Sequence, residues 1–200
     1  DQSLRGNLLR AKQLLADAGW IYRDGALRNP QGQAMELEYL DSNEGGARVV
    51  TPWIRNLEKL GITLRFRPVD FALYQQRLQK FEFDITSMAF GGTHNPGQEY
   101  ADLFGSKAAT TEDSGNFAGV RSAAVDALIT SMTAAKSQAQ LLPACRALER
   151  VIAHSHVLIP QWSAVTHRMA YSALRLARPE AVPPYTQNPE VWALDTWWAK

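Results

Sequence analysis

The stretch from Met35 to Phe90 decides the fold and reads MELEYLDSNEGGARVVTPWIRNLEKLGITLRFRPVDFALYQQRLQKFEFDITSMAF. It contains three strand-like segments in which apolar side chains alternate with polar ones or dominate: 35–39, 62–66 and 83–90. Two helical patterns separate them; Gly61 ends the first and Asp70 can cap the second. This β-α-β-α-β order with short connections predicts an α/β fold, with a central mixed, mostly parallel sheet flanked by helices.

The residues before this stretch predict a helix, a hairpin and a turn. Ser3 is suited to cap a helix whose apolar residues recur at helical spacing until Gly19. Asp24-Gly25 between two short apolar runs is a strong signal for a two-residue hairpin loop. The segment 29–32 predicts a second turn, and the alternation over 35–39 predicts a strand with one buried face.

The sequence pattern changes after Phe90. A loop with three glycines covers 91–97, and a second, polar and mobile loop is expected at 106–116. Two helices follow, one capped by Ser122 and one around 137–153. Pro143 implies that the second helix either starts near Leu141 or is kinked. Two further strands are expected at 157–162 and 167–171.

Composition excludes several classes of protein. The 200 residues carry 21 Lys and Arg against 20 Asp and Glu, a net charge of +1, so no nucleic-acid partner is expected. No apolar run approaches about 18 residues, so no transmembrane helix is predicted. The single cysteine, Cys145, cannot form an internal disulfide and lies in a helical pattern typical of a buried, inert thiol.

The chain offers little support for catalysis or for a cofactor. His154 and His156 would share a face on a strand, but without a third ligand nearby a surface or capping role is favoured over a metal site. The glycine-rich loop 91–97 matches neither nucleotide-binding pattern, and no Gly-x-Ser-x-Gly elbow is present. We therefore expect no enzyme activity, no cofactor and no metal.

The aromatic residues are more informative. Six tryptophans are present, and Trp53 lies on an apolar helical stripe typical of a core. Trp162 ends the expected strand 157–162, where side chains emerge beyond the sheet, and Phe90 with its following loop occupies a similar place. An aromatic ring beside backbone donors suits an extended or small polar ligand, although Trp162 closing the core is an almost equal alternative.

Several segments together resemble family 5 extracellular solute-binding proteins, the oligopeptide- and dipeptide-type receptors of bacterial ABC importers, in particular the YejA-like subgroup. The segments are Ala11-Lys12-Gln13-Leu14-Leu15-Ala16-Asp17-Ala18-Gly19-Trp20, Pro52 to Ile62, Val69-Asp70 with Tyr74, Phe83-Asp84-Ile85, Val125 to Ile129, Leu158-Ile159-Pro160-Gln161-Trp162 and Asp195-Thr196-Trp197-Trp198. Their order along nearly the whole chain carries the resemblance.

The resemblance implies that residues 1–200 form a single domain, the carboxyl-terminal lobe of a two-lobed periplasmic receptor with a periplasmic-binding-protein-like fold. It implies a chain cut from a longer exported receptor, with 172–200 as an extended tail running back toward the missing amino-terminal lobe. Its expected partners are a peptide or peptide-like ligand and the permease subunits of the importer. The expected cleft-lining residues are Phe90, Gly91, Gly92, Thr93, His94, Asn95, Trp162 and, as a positive charge at the start of a helix, Arg48.

One departure from the family bears on the ligand. The resemblance implies an Asp after Phe83-Asp84-Ile85 that pairs with the α-ammonium of the peptide, but here no acidic residue appears between Phe90 and Glu99. Since a buried ammonium needs a compensating charge, a ligand with a blocked amine, or one bound by backbone contacts and tryptophan stacking, is expected. A sugar or metal complex on the same scaffold, and an unrecognised hydrolase, are the alternatives.

Overall fold

A computed structural model describes residues 3–90, 96–162, 170–180 and 196–200. The chain divides into two compact units, Asp1–Ala89 and Phe90–Lys200, here called the first and second units. Whether the two units act as the single domain expected from the sequence stays a prediction, and each is described by itself.

The first unit begins with a capped helix and a hairpin, as predicted. Helix α1 covers Leu4–Asp17, and the Ser3 hydroxyl accepts a hydrogen bond from the Gly6 N–H at 3.1 Å. Strands β1 (Ile21–Arg23) and β2 (Ala26–Arg28) pair antiparallel across Asp24 and Gly25. Both turn residues have positive φ, 51° and 78°, the conformation that an Asp-Gly hairpin loop provides at low cost.

A three-stranded parallel sheet forms the centre of the first unit and confirms the predicted α/β class. Its strands are β3 (Glu36–Asp41), β4 (Thr63–Pro68) and β5 (Ile85–Thr86), in the spatial order β4-β3-β5. Helix α2 (Ala47–Glu58), preceded by a 3-10 turn at Glu44–Gly46, connects β3 to β4, and α3 (Phe71–Gln79) connects β4 to β5. The Asp70 carboxylate caps α3 by accepting the Leu73 N–H at 3.0 Å, as predicted.

Two strand expectations differ from the structure. β5 is much shorter than the predicted 83–90; the Asp84 side chain accepts the Glu38 N–H at 2.8 Å, and the backbone pairing with β3 begins only at Ile85. β3 was predicted to bury one face, yet Tyr39 and Leu40 are both buried. These neighbours point to opposite faces, so the central strand is covered on both sides, as in other parallel sheets.

The second unit is mainly helical. Its elements are α4 (Glu99–Phe104), a 3-10 turn at Ala108–Thr110, α5 (Ala123–Thr133), α6 (Gln138–His154), β6 (Leu176–Ala177) and β7 (Trp198–Ala199). The core joins α4, α5 and α6 through a cluster that includes Phe104, Val125 and Leu148. Helix α6 starts at Gln138, three residues before Leu141, and Pro143 lies inside it.

The polar segment 106–116 is folded rather than loose, which corrects the expectation of a mobile loop. Asn116 is fully buried; its Nδ2 donates to the carbonyls of Gly105 and Val120, each at 3.0 Å. Its Oδ1 accepts the Val120 N–H at 2.9 Å. The amide side chain thus satisfies backbone groups that the irregular segment would otherwise bury without partners.

The carboxyl-terminal part of the chain also departs from the prediction. Residues 157–162 form no strand, and most of the expected strand 167–171 lies outside the described residues. Instead, β6 pairs antiparallel with β7, and Tyr171 packs edge-on against Trp197 with ring centroids 4.8 Å apart. None of the helices in the described part of the chain is long and apolar enough to cross a membrane.

Candidate ligand-binding surfaces

The predicted site residues fall in both units. Arg48 is exposed in the first turn of α2, which follows the carboxyl end of β3 in the first unit. Phe90 opens the second unit; it is half-exposed and its ring stacks on Phe104, with centroids 5.9 Å apart. The loop residues expected to line the cleft, Gly91, Gly92, Thr93, His94 and Asn95, lie outside the described residues.

Trp162 presents its indole ring to solvent. Its side chain is 73% exposed, and Ile159 beside it in sequence is 66% exposed. Within the described part of the chain, Trp162 therefore packs into no core, and its place in a binding site stays a prediction. By contrast, Trp53 is partly buried and contacts Tyr39 edge-on, with centroids 6.5 Å apart, as expected of a core residue.

The carboxyl ends of β3 and β5, here called the β3–β5 edge, form the most site-like part of the first unit. β3 lies between β4 and β5 in the sheet. The chain first moves from β3 to β4 on one side and then crosses back to β5 on the other side, so the strand order reverses between β3 and β5. In open α/β sheets, ligands bind beyond the carboxyl ends of strands at such a switch point.

Hydroxyl groups brace the chain as it leaves β5. Tyr39 on β3 forms a short hydrogen bond with the Ser87 hydroxyl. Tyr74 on α3 lies 3.1 Å from Thr86 Oγ1 and donates to the Ser87 carbonyl at 3.3 Å, and Thr86 Oγ1 donates to the Leu40 carbonyl. These bonds hold the backbone at the β3–β5 edge, directly before the segment that leads to Phe90.

A carboxylate lies at the same edge. Asp41 ends β3, and its Oδ1 accepts the Asn43 N–H at 2.9 Å; Asn43 Oδ1 in turn accepts the Gly45 N–H at 2.8 Å. The turn is so tight that a Cβ at Gly46 would collide with the Asp41 carboxylate. Sequence reasoning missed both Asp41 and Ser87, because Asp41 lies beyond the predicted strand 35–39 and Ser87 lies inside the predicted strand 83–90, whereas the observed strands end at Asp41 and Thr86.

The metal hypothesis for His154 and His156 finds no support. His154 belongs to the last turn of α6, where its Nδ1 lies 2.8 Å from the Arg150 carbonyl. His156 follows the helix with a φ of 56°, so the two residues do not share a strand face. Within the described ranges, no three His, Cys, Asp or Glu side chains are grouped to hold a metal ion.

The family of the chain follows from comparison with known proteins. Residues 1–112 match the profile of the bacterial extracellular solute-binding proteins, family 5 middle region. The chain belongs to this family. Family 5 members are solute-binding proteins, and the resemblance drawn from the sequence motifs is confirmed.

A family 5 relative extends the match along the chain. The chain is 36% identical over 196 residues to the probable peptide-binding protein YejA of Agrobacterium fabrum, covering 98% of this chain and 31% of the relative. The chain therefore spans about a third of the length of the curated relatives that it matches.

Solved structures confirm the periplasmic-binding-protein fold. The oligopeptide-binding protein AppA of Bacillus subtilis, in complex with a nonapeptide, matches with a TM-score of 0.69 at 18% identity, over 96% of this chain and 37% of that one. A mannohexaose-bound oligopeptide-binding protein of Thermotoga maritima matches with a TM-score of 0.64 at 20% identity, over 76% and 30%. At these identities the likeness concerns the fold alone.

Proposed function

We propose that the chain is the carboxyl-terminal lobe of a periplasmic receptor that captures peptides or peptide-like ligands for an ABC importer. The observation that carries this proposal is the family match over residues 1–112, and the relative named as a probable peptide-binding protein supports the ligand class. In this proposal the receptor closes two lobes around its ligand, and the closed form docks on the permease subunits.

The geometry of each unit agrees with a binding role. In the first unit, the β3–β5 edge offers a carboxylate and hydroxyl groups at a switch point of the sheet. In the second unit, the exposed Trp162 and the half-exposed Phe90 provide apolar faces. Apolar surface of this kind is expected on a lobe that meets a ligand and another lobe. We infer no catalytic role for these residues.

For the ligand, we propose a peptide whose amine is blocked. The sequence between Phe90 and Glu99 holds no acid to pair with an α-ammonium. Asp41, at the end of β3, already accepts the Asn43 N–H on its Oδ1. A blocked amine carries no charge, so it needs neither group.

A sugar ligand is the second candidate. The Thermotoga structure with the same fold holds mannohexaose, and the exposed indole of Trp162 offers a flat apolar face for stacking. This candidate differs from the first because it requires neither a peptide backbone nor an amine.

Calorimetric titration of the full-length protein separates these candidates. The ligands are matched short peptides with free and acetylated amines, together with mannohexaose. The proposal expects binding of the acetylated peptides with clear preference over the free ones. Preference for the free amine would overturn the blocked-amine proposal, and binding of mannohexaose alone would overturn the peptide proposal. Mass spectrometry of small molecules that co-purify from the host then identifies the natural ligand.

A further inference from the structure

A groove on the first unit lies away from the β3–β5 edge and plays no part in the proposed peptide binding. The groove has a volume of about 500 Å³. From helix α1, five side chains line it: Leu4, Arg5, Leu8, Leu9 and Lys12. Lys59 and Leu60, which directly follow α2, form its other wall. We call it the α1–α2 groove.

The floor of the α1–α2 groove is apolar and firmly held. Leu8 packs against the cluster that contains Leu60, Leu27 and Ile62, and Leu60 is itself buried. Gly61, which follows Leu60, has a left-handed backbone conformation with a φ of 79° and turns the chain away from α2. The groove is therefore part of the packed structure and its shape depends on the core beneath it.

The rim combines exposed leucines with positive charge. Leu4 and Leu9 are 52% and 61% exposed, so the folded unit leaves them without apolar cover. All three charged residues of the lining, Arg5, Lys12 and Lys59, are cations. Lys59 Nζ donates to Asn56 Oδ1 at 2.9 Å, whereas Arg5 and Lys12 form no ion pair within the described part of the chain.

We propose that the α1–α2 groove binds a single acyl chain with an anionic headgroup. The four leucines remove the hydrocarbon from water, which contributes roughly 0.8 kcal/mol for each buried CH₂. The aliphatic stems of the lysine and arginine side chains extend the apolar wall while their charged ends meet the headgroup. The same chemistry occurs in a free fatty carboxylate and in a lysophospholipid, and the experiment distinguishes these two sources.

Other occupants fit this groove less well. An extended peptide would need unpaired backbone groups as partners, but the walls are helical and their backbone hydrogen bonds are internal. An uncharged amphiphile would offer no negative charge to Arg5, Lys12 and Lys59.

The binding test uses the full-length protein and four amphiphiles of equal chain length, all kept below their critical micelle concentrations. They are laurate, lauroyl lysophosphatidylglycerol, lauryl maltoside and dodecyltrimethylammonium. In calorimetry we expect saturable binding of the two anionic amphiphiles, laurate and the lysophospholipid. The affinity for the uncharged maltoside and for the cationic ammonium should be lower by about tenfold or more. Tighter binding of laurate assigns the site to free fatty acids, and tighter binding of the lysophospholipid assigns it to lipids.

Matched variants locate the binding. The double variant Arg5→Glu and Lys12→Glu should weaken laurate binding about tenfold or more, whereas Arg10→Glu, on the same helix but outside the lining, should leave it nearly unchanged. Leu9→Ser should weaken binding of every chain, whereas Leu14→Ser, at a similarly exposed position outside the lining, should not. Circular dichroism checks that each variant is folded.

Three results would overturn the proposal: no saturable binding of either anion, equal affinity for laurate and lauryl maltoside, or equal losses in the groove variants and their controls. None of these results bears on peptide binding. Failure here therefore leaves the proposed receptor function standing, and failure of the receptor function leaves this groove testable.

Discussion

The guanidinium of Arg77 lies 2.7 Å from the carboxylate of Glu38 and joins helix α3 to the central strand β3. Arg67, on the neighbouring strand β4, lies 2.9 Å from the other carboxylate oxygen. Burial raises the pKa of Glu38, but hydrogen bonds from Arg67 and Arg77, together with their positive charges, outweigh it and hold the pKa below its ordinary value. One carboxylate thus connects three elements of the first unit.

This relationship predicts a pH-dependent loss of stability. A carboxyl with a lowered pKa in the folded state stabilises the fold fully above its unfolded pKa, and this contribution disappears as the pH falls through the folded value. Glu38→Gln should lower the free energy of unfolding at pH 7 by about 1–2 kcal/mol. The difference from the parent protein should shrink as the pH falls below about 4. Urea unfolding at a series of pH values measures both quantities.

The matched control is Glu36→Gln, two residues along the same strand. Glu36 also pairs with an arginine, Arg65 at 2.8 Å, but both side chains are well exposed. Solvent screens such pairs, so the control should change stability by less than about 0.5 kcal/mol. Equal effects of the two substitutions, or an effect of Glu38→Gln that does not vary with pH, would contradict the interpretation.

Asn116→Ala should destabilise the second unit. The substitution removes three hydrogen bonds inside a fully buried site and leaves the backbone groups of Gly105 and Val120 without their partner. The expected cost is about 2–3 kcal/mol, measured by urea unfolding. Asn7→Ala, at an exposed helical position, is the control and should leave stability unchanged or slightly higher. A small effect at Asn116 would mean that the segment 106–116 tolerates an unpaired backbone.

Gly61→Ala should cost more than Gly25→Ala, although both glycines have φ close to 80°. A Cβ at Gly25 would have no atom within 4 Å, so that variant reports the conformational cost alone, about 1 kcal/mol. A Cβ at Gly61 would lie 2.7 Å from the backbone nitrogen of Leu27 and 2.6 Å from the ring of Tyr22. Thermal unfolding compares the two variants, and equal melting temperatures would show that the chain near Gly61 moves aside without cost.

Trp162→Ala should separate binding from stability. The exposed indole contributes little to the fold, so the free energy of unfolding should change by less than about 0.5 kcal/mol. If Trp162 contacts the ligand as proposed, affinity for the peptide that binds the full-length protein should fall about tenfold. Trp53→Ala is the contrasting variant; its ring packs in the core, and its loss should cost about 2–3 kcal/mol. Unchanged affinity in Trp162→Ala would remove this residue from the proposed site.

Short-range signals in the sequence were sufficient for much of the fold. Ser3, Asp70 and Ser122 cap their helices as predicted, because a capping side chain bonds to an N–H only three residues away. The Asp24-Gly25 loop likewise needs only its own backbone conformation. The alternating strands and intervening helices then imply a parallel sheet, since short connections allow few other arrangements.

Long-range packing decided the rest. Whether Leu40 is buried depends on the elements that cover β3, and the pairing of β6 with β7 joins residues more than 20 positions apart in the numbering. From the sequence, Asn116 is indistinguishable from an ordinary polar loop residue, because the Gly105 and Val120 carbonyls to which it donates come close to it only in the folded chain. The sequence by itself determined the α/β pattern and the family, because both depend on motifs made of residues that are close together along the chain. Tertiary structure alone determined which polar groups are buried, which tryptophans are exposed and that the Asp41 carboxylate lies at the β3–β5 edge, because burial and contact depend on what packs against each residue.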